Sequence, residues 1–272
     1  RIAVGGFRTT RTGDTNDHFV EVHAAIGITE FDAFDPDKNG GPVSAEPDLV
    51  GLVGDRTALF RYQVLVVPCG ALGNFSVAAN LTPTMTANLR AWLEAGGRLY
   101  VSDLAYSVAE QAFPAGFVWA PGPSPRAGTD PASVGVGVGS LAATVVDPEL
   151  QSWLGVVGAT PGGAAITITE LRDPWGALDA LPPASLLPDA EGIVHAAEWI
   201  VGDVAWHTGP TGTHRHPLTV HTDVRAAAGG YCGRVVFTSW HVDSAAATFS
   251  PQERVIEYLF FQLTSCVPDA PF

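Results

Sequence analysis

The segment 35–46 carries the most specific chemical pattern in the chain. Asp35, Asp37 and Asn39 alternate, Gly40 follows, and Glu46 closes the run. This spacing fits the calcium-loop pattern D-x-[DN]-x-[DN]-G-x5-E residue for residue. Alternate side-chain oxygens would point inward, Gly40 would permit the sharp turn, and Glu46 would complete the shell with two oxygens. Pro36 and Pro42 interrupt the loop, and its flanks read as strands, so an EF-hand is excluded while a stand-alone Ca2+ loop is expected. An acidic turn capped by its own side chains is the alternative.

Sulfur and imidazole come next. Cys69 follows an apolar run in Val-Pro-Cys-Gly, a strand-to-turn position where a nucleophile can stand. Buried thiols without reactivity are equally common in such places. Cys232 and Cys266 flank the C-terminal unit, and a bridge between them with Cys69 buried suits an exported protein. His214 and His216 have the spacing that puts two imidazoles on one face of a strand, but Pro217 follows and a Gly-Pro turn precedes, which favours a loop tip. Trp206 and Trp240 each precede a histidine and are candidates for a sugar-binding face, against the ordinary fate of Trp as core.

The elements that must position these groups are partly legible. Residues 2–7 and 28–34 read as strands, and Phe19, Val22, Ala25 and Ile26 give helical spacing over 17–26. Tyr62 to Val67, Arg98 to Ser102 and Arg234 to Ser239 are continuous apolar runs, the mark of strands buried on both faces. Thr82-Pro83 opens a helix with Met85, Leu89, Trp92 and Leu93 on one stripe, and Gly96-Gly97 ends it. Shorter helices are expected over 105–112 and 148–154, and a longer one over 252–263. Strand-like pieces fall at 165–169, 193–201 and 218–224. Strand and helix alternating in this rhythm predict a parallel sheet with crossover helices. Residues 114–140, with Val134-Gly-Val-Gly-Val-Gly, read as a surface excursion.

Composition excludes several classes. The 272 residues are 46% hydrophobic, enough to bury a sizeable core. The formal charge of −14 opposes nucleic-acid binding, which depends on Lys and Arg meeting phosphates. No apolar run approaches the roughly 18–20 residues of a membrane span, so no membrane insertion is expected. Glycine and proline together approach a fifth of the chain, which predicts long irregular stretches.

Three segments carry a resemblance. Tyr62-Gln-Val-Leu-Val-Val-Pro-Cys-Gly, Asn88-Leu-Arg-Ala-Trp-Leu-Glu-Ala-Gly-Gly-Arg-Leu-Tyr-Val-Ser-Asp and Gly233-Arg-Val-Val-Phe-Thr-Ser-Trp-His-Val-Asp resemble the class I glutamine amidotransferase-like superfamily, with its trehalose-utilisation-type relatives. The resemblance implies a flavodoxin-like, doubly wound, mostly parallel sheet in one α/β domain over 1–272, with a long Gly/Pro-rich insertion at about 114–225. Catalytic members place a Cys on a sharp strand-to-helix turn and activate it with a His and an acid two residues later. Here Asp103 stands at the nucleophile position, while His241 and Asp243 preserve the His-x-acid pair. Gly70 matches the glycine that supplies an oxyanion donor. An Asp cannot form the thioester, so glutamine hydrolysis is not expected, and Ser102 is one residue off the turn.

The expectation is therefore a non-catalytic binding or structural module, exported to an extracellular or periplasmic setting, calcium-stabilised, with protein partners or self-assembly at a surface. Two other classes stay open. One is a hydrolase using Cys69 or an Asp103/His241/Asp243 cluster. The other is a carbohydrate-binding module using Trp206 or Trp240.

Overall fold

The computed structural model describes residues 1–5, 27, 30–34, 47–69, 81–120, 132–160, 163–171, 173–226, 229–240 and 249–264. The helix expected over 17–26, the loop 35–46 and the residues Gly70, His241, Asp243 and Cys266 lie outside them.

Thirteen strands are described. They are β1 (Ile2–Gly5), β2 (Asp32–Phe34), β3 (Val64–Val67), β4 (Arg98–Ser102), β5 (Val118–Trp119), β6 (Ser133–Gly135) and β7 (Val138–Val145), followed by β8 (Ala165–Leu171), β9 (Trp175–Gly176), β10 (Leu178–Ala180), β11 (Ala196–Val204), β12 (His214–Arg225) and β13 (Tyr231–Thr238). The α-helices are α1 (Leu49–Gly54), α2 (Arg56–Leu59), α3 (Pro83–Glu94), α4 (Tyr106–Ala112), α5 (Pro148–Val156) and α6 (Pro251–Thr264).

Nine strands form one sheet in the order β2-β1-β3-β4-β13-β12-β11-β7-β8. The first five run parallel, as the crossover rhythm predicts. From β13 onward each neighbour is antiparallel. The stretch 114–225, expected as an insertion with a surface excursion over 114–140, supplies β7, β8, β11 and β12 to the same sheet, and the strand-like pieces at 165–169, 193–201 and 218–224 fall in β8, β11 and β12. The glycine alternation around Val134 concealed β7. Its small side chains keep the period of two that a strand needs, and Gly202 opposite leaves room for Leu141, whose Cδ2 would lie 3.0 Å from a Cβ there.

Both faces of the sheet are covered. Leu65, Val67, Leu99, Val101, Val235 and Phe237 point to the side of α1 to α4. Val64, Val66, Tyr100 and Val236 point the other way, onto α5 and α6 through Leu150, Val255 and Leu259. This alternation at period two is why the parallel strands read as unbroken apolar runs.

Helix α3 forms as its sequence dictates. Thr82 Oγ1 accepts the Met85 N–H at 3.2 Å and Pro83 occupies the first turn. Gly96 ends it at φ +103°, and a Cβ on Gly97 would lie 2.2 Å from the Trp92 ring, so both glycines are required. Helix α6 covers the opposite face and reaches the rim of the sheet. There Gln252 Oε1 accepts the backbone N–H of Thr169 on the outermost strand, β8, at 2.8 Å. Among the described residues no helix is long and apolar enough to cross a membrane.

Candidate functional site

The parallel strands have two edges, and each gathers polar residues. At the carboxyl edge, β4 runs into a tight 3-10 turn at Asp103–Ala105 that leads into α4. Asp103 adopts φ +44°, the left-handed conformation that costs a non-glycine residue about 1–2 kcal/mol. A strained strand-to-helix elbow thus stands at the position matched by resemblance. Its carboxylate is buried, 1% exposed. Oδ1 accepts the Gly176 N–H at 2.6 Å, and Oδ2 accepts the Cys69 Sγ–H at 3.3 Å. Ser102 Oγ accepts the Cys69 N–H at 3.0 Å. The sequence placed Ser102 off the elbow, and its role is to tie the end of β3 to the end of β4. Strand β9 presses on the elbow, since a Cβ on Gly176 would lie 2.5 Å from the Asp103 carbonyl oxygen.

Of the predicted site residues, the fold brings Asp103 and Cys69 together. Their proposed partners His241, Asp243 and Gly70 lie outside the described residues, as do Asp35, Asp37, Asn39 and Glu46. Trp240 is wholly buried and its indole N–H donates to Thr219 Oγ1 at 3.0 Å, so it serves the core. Trp206 is half-buried, with one face stacked on His216 at 4.1 Å between centroids. Burial holds the His216 imidazole below its usual range against the pull of Asp179. No disulfide joins two described cysteines; Cys232 sits half-buried at the start of β13, and Cys266 lies outside the described residues.

The amino edge holds a second cluster that no motif marks. His195, just ahead of β11, donates Nε2–H to Asp189 Oδ2 at 2.7 Å, the direction an acceptor-only carboxylate dictates. Asp189 Oδ1 takes the Glu191 and Ile193 N–H groups at 3.0 and 2.8 Å. The bonds from His195 and Ile193 hold the Asp189 carboxyl below the ordinary range. On its other side His195 Nδ1 faces Asp223 Oδ2 at 3.5 Å, and Asp223 is clasped by Arg234 at 2.6 and 3.3 Å. The Tyr231 ring stacks on His195 with centroids 3.3 Å apart. Behind this chain His221 is buried against Trp199, and burial followed by the Arg234 charge pushes its pKa down to about 3.

The Asp189–His195 bond on one side, and the Asp223 N–H bond to the His195 carbonyl oxygen at 2.7 Å on the other, fasten the connection between β10 and β11 to the sheet. That connection walls a cavity of ≈ 650 Å³, with α3, the end of α4 and the end of β12 as the other walls. The one sequence signal was the spacing of His221, Asp223 and Arg225 at every second position at the end of β12.

No family model matches the chain, and no curated protein matches it. Solved structures do. The mmIFT52 N-terminal domain superposes at TM-score 0.55 with 10% identity, over 100% of both chains. A ThuA-like protein from Bacteroides uniformis superposes at TM-score 0.49 with 10% identity, over 97% of this chain and 91% of that one. A cytoplasmic protein from Salmonella typhimurium follows at 0.44 and 11%, over 96% and 97%. At 10% identity the likeness to the mmIFT52 N-terminal domain is one of fold.

Proposed function

We propose that this chain is a non-catalytic binding or structural module on an amidotransferase-like scaffold. One observation carries the reading. The elbow that would present a nucleophile instead holds Asp103, buried, with one oxygen on the Gly176 N–H and the other on the Cys69 thiol. A carboxylate cannot form the thioester of glutamine hydrolysis. The neighbouring thiol faces that carboxylate, whose negative charge opposes a thiolate, whereas activated cysteines stand beside cations. The geometry therefore supports a retained hydrogen-bonded brace at the elbow over a hydrolase built on Cys69.

The test is an electrophilic diazoketone analogue of glutamine, followed by intact-mass measurement and by assay of ammonia release from glutamine. The expected result is no adduct and no ammonia above the buffer rate. A stoichiometric adduct on Cys69 or Asp103 overturns the reading.

Our reading extends to an exported setting with Cys232 bridged to Cys266, and to calcium at Asp35, Asp37, Asn39 and Glu46. Its support is the cysteine arithmetic and the loop pattern. A thiol count after denaturation should find one reactive thiol; three remove the bridge. Calcium should raise the melting temperature in a manner reversed by chelation and abolished by Asp37→Ala; an indifferent melting temperature removes the metal.

A further inference from the structure

We propose that the amino-edge cavity is a binding site for a small organic carboxylate with an apolar body, held by Arg90 and Arg225. This goes beyond the reading of the elbow and does not depend on it, because the two sites lie at opposite ends of β4 and β13. The register places Ser102 beside Thr238 at the elbow end, and Arg98 beside Arg234 at the cavity end.

The size comes first. A volume of ≈ 650 Å³ falls within the about 300–1,000 Å³ that holds a small organic ligand. The walls are apolar over most of their extent, through Leu93, Phe113, Leu187 and Val224. Leu187 is 66% exposed at the cavity. A large apolar side chain left in water beside an apolar hollow gains by being covered, at about 25 cal/mol per Å².

Charge supplies the polar end. The chain has 28 acidic side chains against 14 basic ones, so carboxylates are plentiful. Arg1, Arg215, Arg234 and Arg254 each meet one. Arg90 and Arg225 line this cavity together, and among the described residues neither meets a carboxylate. Arg90 gives its Nε–H to the Ala112 carbonyl oxygen at 3.3 Å, which anchors the guanidinium and leaves its terminal nitrogens for another acceptor. The cavity also has acidic walls. Asp189 is bonded to His195, and Asp223 is clasped by Arg234, so two of its three carboxylates already have partners. Glu94 is the third and stands one helical turn beyond Arg90. A planar guanidinium is the group best shaped to take a carboxylate through two bonds.

The probe is octanoate, measured by titration calorimetry on the full chain, with octan-1-ol and octylamine as controls of equal chain length. Octanoate should bind saturably, and both controls should bind at least tenfold more weakly. Arg90→Gln and Arg225→Gln should each weaken octanoate at least fivefold while leaving the melting temperature unchanged, because both side chains are exposed. Ala115→Trp, which fills the hollow from its wall, should abolish binding. No octanoate binding at millimolar concentration overturns the proposal. So does binding of octylamine or octan-1-ol as tight as that of octanoate, or octanoate binding that survives both arginine substitutions or the tryptophan plug.

Discussion

The two edges of the parallel strands use the same kinds of residue to opposite ends. At the carboxyl edge a carboxylate and a thiol are pressed together beneath β9, and the Asp103 side chain is sealed from solvent. At the amino edge a carboxylate–imidazole–carboxylate–guanidinium series stands along the wall of an open hollow. Ligands on open α/β sheets ordinarily gather at the carboxyl edge, at the topological switch point. The contrast teaches that a fold-level match locates a place and not an activity. The elbow keeps a left-handed aspartate sealed beneath β9, while the amino edge leaves charged and apolar side chains along an open hollow.

The largest expected effect breaks the closed edge. Gly176→Ala drives a methyl into the Asp103 carbonyl region, where backbone must shift, and should cost about 3–4 kcal/mol in denaturant unfolding. An unchanged midpoint would mean that β9 does not brace the elbow. Next, Asp223→Ala at the open edge leaves Arg234 largely buried without its carboxylate and removes the neighbour of His195. A loss of about 3 kcal/mol is expected, falling sharply in the double variant with Arg234→Met, which removes the stranded charge. Equal losses in the single and double variants would show that the pair is not coupled.

A pH series sharpens the comparison. His221 titrates near 6.5 when unfolded and at about 3 when folded, so the unfolded chain binds the extra proton between those values. Stability is therefore complete above about pH 6.5 and is lost as pH falls toward 3. The loss should reach about 2 kcal/mol by pH 5. His221→Phe should flatten that limb, whereas Asp103→Asn should leave it intact; an unaltered slope in the His221 variant would refute the assignment. Asp189, held below the ordinary carboxylate range by the bonds from His195 and Ile193, adds its own loss only at more acid pH. The smallest effect is Asp103→Asn itself, about 1 kcal/mol, because an amide oxygen still accepts from Gly176 and the elbow conformation suits Asn.

Legibility followed physical cause. The strands buried on both faces were plain as Val64 to Val67 and Arg98 to Ser102, since both neighbours of every residue are apolar layers. Helix α3 was plain because its cap, its first-turn proline and its stripe agree. Helices α1 and α2 went unread. They are one or two turns long and owe their form to Asp48 and Asp55 capping rather than to periodicity. The antiparallel half was obscured by glycine alternation in β7 and by the long, mixed character of β12. At the sites, the Asp103 elbow was legible because a local turn can be matched by sequence. Cys69 was singled out, but its thiol direction was not, since that depends on a contact across 34 residues. His195 escaped notice because its partners Asp189 and Asp223 come from different elements and share no spacing that a motif records.

The contact between Gln252 and Thr169 joins residues 83 apart in the chain. During synthesis on the ribosome β8 emerges well before α6, so its outer row of hydrogen-bonding groups waits uncovered until nearly the whole described sheet has been made. A bare strand edge is a template for pairing between chains. The nascent protein is thus exposed to pairing along β8 in the interval before α6 arrives, and Gln252 then takes up one of the groups on that edge.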